Sequence, residues 1–236
     1  MQYIGNNEIA AKYVGDTEIQ KQYVGDTLVW EKQQPTPSGP PDNEIWYTTS
    51  DGQTITPGGL SPTSNTYSGG KGVMTFSSPV TSIPESAFSN QLTLMSVVCP
   101  SSVTTLNSTI LQFSTCSAFT AEYATTFNGH HTFMDATGLT SYKNNVATTT
   151  NWIGMFERCS NLESVEMTAC TNFQQACFSN CGSLISIKLG ATPPSWYGFY
   201  GMPMWGTLYV PTAAVSTYES WKSDKTGISN WTVVGY

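Results

Sequence analysis

Met155-Phe156-Glu157-Arg158-Cys159-Ser160-Asn161-Leu162-Glu163-Ser164-Val165-Glu166-Met167 recurs without a gap as Cys177-Phe178-Ser179-Asn180-Cys181-Gly182-Ser183-Leu184-Ile185-Ser186-Ile187-Lys188-Leu189, 22 residues further on. The pattern extends backward. Its first column reads Phe88, Ile110, Phe133, Phe156 and Phe178, and its second Leu94, Cys116, Leu139, Leu162 and Leu184. The third column is Val97, Phe119, Tyr142, Val165 and Ile187. The fourth is Cys99, Ala121, Asn144, Met167 and Leu189, with Asn144 its one polar member. A single unit of this length cannot bury its own apolar face. Stacked units turn each column into a continuous core.

A period of 22 to 23 residues lies in the range of leucine-rich repeats. Stretches such as Val97-Val98-Cys99 and Ile187-Lys188-Leu189 alternate as strands do. The predicted fold is therefore mainly β: a leucine-rich-repeat solenoid whose strands pair in parallel along one face. Outward positions form two further columns. One is Ser96, Ala118, Ser141, Ser164 and Ser186, a flat face of small residues; the other is Val98, Thr120, Lys143, Glu166 and Lys188.

The motif resembles the BspA-like leucine-rich repeats common in proteins of gut and oral Bacteroides and their relatives. The likeness rests on Ile83-Pro84-Glu85-Ser86-Ala87-Phe88, on Pro100-Ser101-Ser102-Val103-Thr104-Thr105-Leu106, and on the Phe-x-x-Cys-x-x-Leu-x-x-[Val/Ile] units. Ala191-Thr192-Pro193-Pro194, Leu208-Tyr209-Val210-Pro211 and Val215-Ser216-Thr217-Tyr218 look like the family's closing segment. The resemblance spans about residues 44–236. Residues 120–132 depart from it, lacking the Pro-Ser-x-Val-Thr turn. It implies a surface for binding rather than an enzyme.

A second, shorter repeat opens the chain. Tyr3-Ile4-Gly5-Asn6-Asn7-Glu8-Ile9, Tyr13-Val14-Gly15-Asp16-Thr17-Glu18-Ile19 and Tyr23-Val24-Gly25-Asp26-Thr27-Leu28-Val29 recur at a period of 10. Gly-Asp and Gly-Asn form turns, and the alternating stretches between them read as a small N-terminal β-meander. About 32 residues rarely bury enough surface to fold alone. Residues 1–32 are thus expected to anchor the chain through Tyr3, Tyr13, Tyr23 and Trp30, on copies of itself as a homo-oligomer or on another protein. The alternative is a hairpin packed on its own solenoid. The segment looks like short repeats of phage virion structural proteins. Residues 33–43 hold four prolines and read as a semi-rigid spacer. Residues 44–82 read as an N-terminal β cap, 83–190 as the solenoid and 191–236 as a C-terminal cap.

Composition narrows the partners. The net charge is −7, and only nine residues are basic. That argues against nucleic acid, which needs clustered Lys and Arg. No apolar run reaches the roughly 20 residues of a membrane span, so no membrane insertion is expected. Met1-Gln2-Tyr3-Ile4-Gly5 does not read as a signal peptide. Six cysteines are expected to be buried thiols, with Cys159 and Cys181 in one column. A Cys177-x-x-x-Cys181 metal pair lacks further ligands, because His130 and His131 lie two units away. Adjacent on an extended chain, those histidines are expected to point apart. No cofactor or metal is expected.

Glu163 and Glu166 suggest paired carboxylates for glycosidic chemistry, but Glu166 falls between Lys143 and Lys188 in its column and reads as part of a solvated ion ladder. The cluster Trp196-Tyr197-Gly198-Phe199-Tyr200-Gly201-Met202-Pro203-Met204-Trp205 either seals the core's end or forms a contact patch. The candidate binding residues are Lys143, Glu166, Lys188, Trp196, Tyr197, Phe199, Tyr200 and Trp205. Three functions compete. The first is a non-enzymatic virion component of a Bacteroides-type phage, such as a head or tail fibre or a decoration protein, on the virion surface. The second is a bacterial cell-surface adhesin for host proteins or glycans. The third is a glycan-acting enzyme.

Overall fold

Short strands dominate the computed structural model, which describes residues 12–14, 17–19, 21–24, 27–31, 39–148, 153–196 and 200–236. Tyr3, Tyr197 and Phe199 lie outside them. The chain divides into two compact units, Met1–Ser38 and Gly39–Tyr236. In the first, β1 (Lys12–Val14) pairs antiparallel with β2 (Thr17–Ile19). Likewise β3 (Lys21–Val24) pairs antiparallel with β4 (Thr27–Glu31). Each hairpin is one turn of the period-10 repeat. Tyr13, Tyr23 and Trp30 lie on β1, β3 and β4.

The second unit begins with residues that sequence assigned to the spacer. The Glu44 amide donates to the Pro41 carbonyl at 2.9 Å, and the Val80 amide to the Asp42 carbonyl at 2.7 Å. Then β5 (Glu44–Thr49), β6 (Ser64–Ser68) and β7 (Lys71–Thr75) form an antiparallel cap in the order β5-β7-β6. Alternation puts Ile45, Tyr47 and Met74 inward, and all three are buried. The Tyr47 hydroxyl is satisfied by Asn65 Oδ1 at 2.7 Å.

On this cap the solenoid sheet is laid strand by strand. Antiparallel to β5 runs β9 (Leu94–Val98). Next come β11 (Ala118–Thr120), β13 (Ser141–Lys143), β14 (Ser164–Met167) and β16 (Ser186–Leu189), each parallel to the last. The sheet does not stop at residue 190. It continues parallel through β18 (Thr207–Val210) and β19 (Thr232–Gly235). Minor strands line another side: β8 (Ser82–Ile83), β10 (Thr105–Leu106) and β12 (Thr126–Phe127) form one parallel sheet. β15 (Asn172–Phe173) and β17 (Ser195–Trp196) form another.

The apolar columns are the core. Phe133, Phe156 and Phe178 stack with successive centroids 5.5 Å apart. One column needs correction. Left-handed residues flank its members symmetrically, and in the second coil they are Thr109 and Phe113. Leu111, rather than Ile110, therefore stands level with Phe88 and Phe133. Ile110 is buried beside it, so either apolar residue satisfies the sequence pattern. The polar exception, Asn144, is fully buried but fully engaged. Its amide donates to Ala121 and Ala124 carbonyls at 3.3 and 2.8 Å, and its oxygen accepts from Val146 and Ala147 amides at 3.1 and 2.8 Å. The departing coil keeps its shape. Ala124 N–H bonds Ala121 as Val103 N–H bonds Pro100, so the turn survives loss of Pro and Val.

Away from the main sheet, five successive coils each make a turn with two left-handed residues, four apart. The pairs are Ser86/Asn90, Thr109/Phe113, His131/Asp135, Gly154/Arg158 and Ala176/Asn180. These turns hydrogen-bond coil to coil, as in Phe88 N to Ile110 O at 2.9 Å and Phe133 N to Met155 O at 2.8 Å. The far end is closed by α1 (Val215–Lys222) and the segment after it. Tyr218 and Trp231 are buried there, and the Trp231 indole donates to the Pro203 carbonyl at 3.1 Å.

Candidate binding face

Parallel pairing with no register slip fixes what the sheet presents. Ser96, Ala118, Ser141, Ser164, Ser186, Thr207 and Thr232 are level with one another. So are Lys143, Glu166, Lys188, Tyr209 and Val234. Because side chains alternate along a strand, the intervening Tyr142, Val165, Ile187 and Leu208 point into the core, where they are buried.

Glu166 is the centre of the charged row. Its Oε1 lies 3.7 Å from Lys143 Nζ and 3.6 Å from Lys188 Nζ, and accepts from Asn145 Nδ2 at 2.6 Å. Partial burial works to raise the pKa of this carboxyl. The Asn145 hydrogen bond and the two lysines together outweigh burial, and the carboxyl sits below its ordinary value. Lys188 also lies over the Tyr236 ring, 4.5 Å from its centroid. Beside this row a hollow of about 300 Å³ is lined by Ser141, Ser164, Ser186, Lys143, Lys188 and Tyr209, among others. A smaller one of about 100 Å³ adjoins it over Thr120, Glu122 and Ser141. Tyr209 and Tyr236 were not among the candidate binding residues; sequence placed Tyr209 only in the closing segment. The alternation of Leu208-Tyr209-Val210 carried the signal, since it places Tyr209 in the outward row.

The other sequence candidates are scattered. Glu163 is exposed just before the serine row and lines neither hollow, whereas Glu166 lines the larger one. His130 and His131 do not point apart. His131 is left-handed, in a turn rather than a strand, and the rings lie 5.9 Å apart. His131 Nε2 is 3.5 Å from Glu157 Oε2. Glu157 belongs to a cluster that sequence reasoning missed. Arg158 grips Asp135 on the preceding coil with Nε at 2.7 Å and Nη2 at 2.8 Å, and reaches Glu157 at 2.9 Å. The signal was there: Asp135 and Arg158 are one repeat apart.

All six cysteines are buried thiols. Cys159 donates to the Phe133 carbonyl and Cys181 to the Phe156 carbonyl, each at 2.9 Å, which makes them matching rungs. Burial pushes the Cys116 and Cys181 thiols up to about 12, and raises Cys99 and Cys159 as well. Among the described residues no three His, Cys, Asp or Glu converge to hold a metal. No described helix is long and apolar enough to cross a membrane. Of the aromatic cluster, Trp196 lies on β17. Tyr200 and Trp205 are 74% and 68% exposed, so they do not seal the core end; Tyr218 and Trp231 do.

The family model for the BspA-type leucine-rich repeat region matches residues 71–192 in six copies. The chain belongs to the BspA-type leucine-rich repeat family. The BspA-type match covers the cap strand β7 and the coils through β16, so the charged row and both hollows are built almost wholly from family repeats. No curated protein and no solved structure matches this BspA-type chain.

Proposed function

We propose that this protein is a non-enzymatic binding scaffold, with the solenoid sheet face as the presented surface and residues 1–32 as the attachment. The observation that carries the reading is the row of small residues from Ser96 to Thr232. It leaves an open, polar, flat track across seven parallel strands, with a charged row beside it. BspA-type repeats support a surface-binding or adhesin role.

The test is attachment of the labelled full chain to host cells. Ser164→Arg and Ser186→Arg place bulky cations on the track without touching the core. Both are expected to abolish attachment with an unchanged Tm, whereas Thr217→Arg on α1 has no effect. Attachment that survives both face variants overturns the reading.

The carrier is a finer matter. The period-10 repeats favour a phage virion fibre or decoration protein, attached through copies of itself or other virion proteins. Family membership favours display on a bacterial cell surface. Immunogold labelling of purified particles and of cells separates them. On the virion reading, deleting residues 1–32 prevents incorporation and leaves the solenoid folded.

A further inference from the structure

Six basic residues belong to the second unit, and four of them are closely matched. Arg158 holds Asp135 and Glu157 at 2.7 and 2.9 Å, Lys222 holds Glu219 at 3.0 Å, and Lys225 holds Asp224 at 2.7 Å. Lys71 sits 3.8 Å over the Trp46 ring. Lys143 and Lys188 have no carboxylate contact as close, although Lys188 also lies over the Tyr236 ring, 4.5 Å from its centroid. They share one carboxylate oxygen at 3.7 and 3.6 Å, beyond the 2.7–3.2 Å of an N–H···O hydrogen bond. That oxygen is already occupied by Asn145 at 2.6 Å. Two ammonium groups thus face the one carboxylate of Glu166 over the larger hollow, while Glu122 lines the smaller hollow with Lys143, on a chain whose net charge is −7. By their distances to Glu166 Oε1, the two nitrogens are at most about 7 Å apart.

Both lysines open on the hollow of about 300 Å³. Its floor is Ser141, Ser164 and Ser186, one hydroxyl per strand, repeating at ~4.8 Å. Ser96, in the same row, bonds Thr48 at 2.6 Å. Among the described residues the three floor hydroxyls have no such partner. Each can donate one hydrogen bond and accept two. Tyr209 stands at the side with its ring part-exposed. A protein hot spot wants a deep apolar pocket, which this floor lacks. Unengaged hydroxyls, an aromatic edge and an anion-seeking pair suit a hydroxyl-rich ring that carries one carboxylate.

We propose that this hollow binds an acidic sugar. The carboxylate bridges Lys143 and Lys188 on the solvent side of Glu166, the ring hydroxyls meet Ser141, Ser164 and Ser186, and Tyr209 covers the ring's apolar side. The inference rests on the sheet face being the binding surface. The chain's overall negative charge selects a single carboxylate over a densely sulfated polymer, which long-range repulsion keeps away.

The experiment titrates the full chain with 3′-sialyllactose and a glucuronic-acid-terminated disaccharide, against lactose and a blocked glutamate dipeptide, by calorimetry or NMR shifts. One or both acidic sugars are expected to bind at least tenfold tighter than lactose, with a preference that shrinks as salt rises. Lys143→Gln with Lys188→Gln removes the preference. Glu166→Gln, which deletes the competing carboxylate, strengthens it severalfold. That sign separates a ligand site from a structural ion ladder, and it can be read even if the lysine double variant misfolds.

Equal binding of lactose and both acidic sugars overturns the proposal, as does no binding of either acid. Tighter binding of the dipeptide, or weaker acid binding in Glu166→Gln, also overturns it. If no sugar binds while Ser164→Arg still blocks cell attachment, the acidic-sugar proposal fails and the binding-face reading stands.

Discussion

The left-handed turn positions make opposite predictions for two equivalent residues. Ala176 and Gly154 open the left-handed pair in adjacent coils, at φ of 59° and 67°. An L-residue in this region costs about 1–2 kcal/mol, whereas glycine adopts it freely and loses roughly 0.5–1 kcal/mol in chain entropy on folding. Ala176 is only part-buried, so its methyl contributes little. Ala176→Gly should therefore stabilise the protein by about 1 kcal/mol. Gly154→Ala reverses these terms and adds a clash. A Cβ there meets His131 Cδ2 at 2.5 Å and Glu157 Oε2 at 2.8 Å, so the His131–Glu157 contact must open. A part-exposed pair of this kind contributes up to ~1 kcal/mol, and the total loss is about 2 kcal/mol. For a unit of this size 1 kcal/mol moves Tm by roughly 2–4 °C. Thermal unfolding followed by circular dichroism should place Ala176→Gly about 2–4 °C above the parent and Gly154→Ala about 4–8 °C below it. A lower Tm for Ala176→Gly, or no separation between the variants, refutes the claim that turn strain is what distinguishes these sites.

Three further outcomes follow from buried and paired groups. Asn144→Leu keeps the volume but strands the Val146 and Ala147 amides and the Ala124 carbonyl, while the Ala121 carbonyl keeps the Ala124 amide. At 1–3 kcal/mol per buried unmade bond, with partial relaxation, urea unfolding should show a loss of about 3 kcal/mol or more. Asp135 is held below its ordinary 3.8 by the Arg158 guanidinium, against a smaller opposing effect of burial. Below that value the unfolded chain takes up a proton that the folded chain refuses. The contribution is therefore present above 3.8 and is lost as pH falls through the lower folded value. Between about pH 5 and 2, Tm of Asp135→Asn should fall less steeply than that of the parent; equal slopes would discount the pair. A thiol reagent at about pH 8 should label almost no cysteine in the folded protein and all six after denaturation, because burial suppresses the thiolate. Rapid labelling of the native protein would contradict the buried ladder.

How legible each feature was depends on how many residues could satisfy its position. The sheet register was readable because its outward row is chemically uniform: only one alignment puts Ser96, Ser141, Ser164 and Ser186 level. The turn column was ambiguous at Ile110 and Leu111, since both are apolar and both find room inside. The left-handed pairs were invisible. Thr109, Phe113, Arg158 and Ala176 have no local preference for such backbone, and the stacked coils impose it. The Asp135–Arg158 clamp was readable in principle, because one repeat of separation brings equivalent positions side by side. It was overlooked because apolar columns, not polar ones, define the repeat.

The same reasoning locates function. Inward columns are fixed by packing, and the turns by coil-to-coil hydrogen bonds. The outward rows of the sheet can change without disturbing either. Along the outward row from Val98 to Val234, charge appears only at Lys143, Glu166 and Lys188, whose coils also frame the larger hollow. A purely structural ladder gains most from equal numbers of opposite charges, at up to ~1 kcal/mol per pair. Two lysines sharing one carboxylate oxygen at 3.6–3.7 Å are a poor ladder by that standard. The imbalance is better explained by what the row is free to meet than by what it holds together.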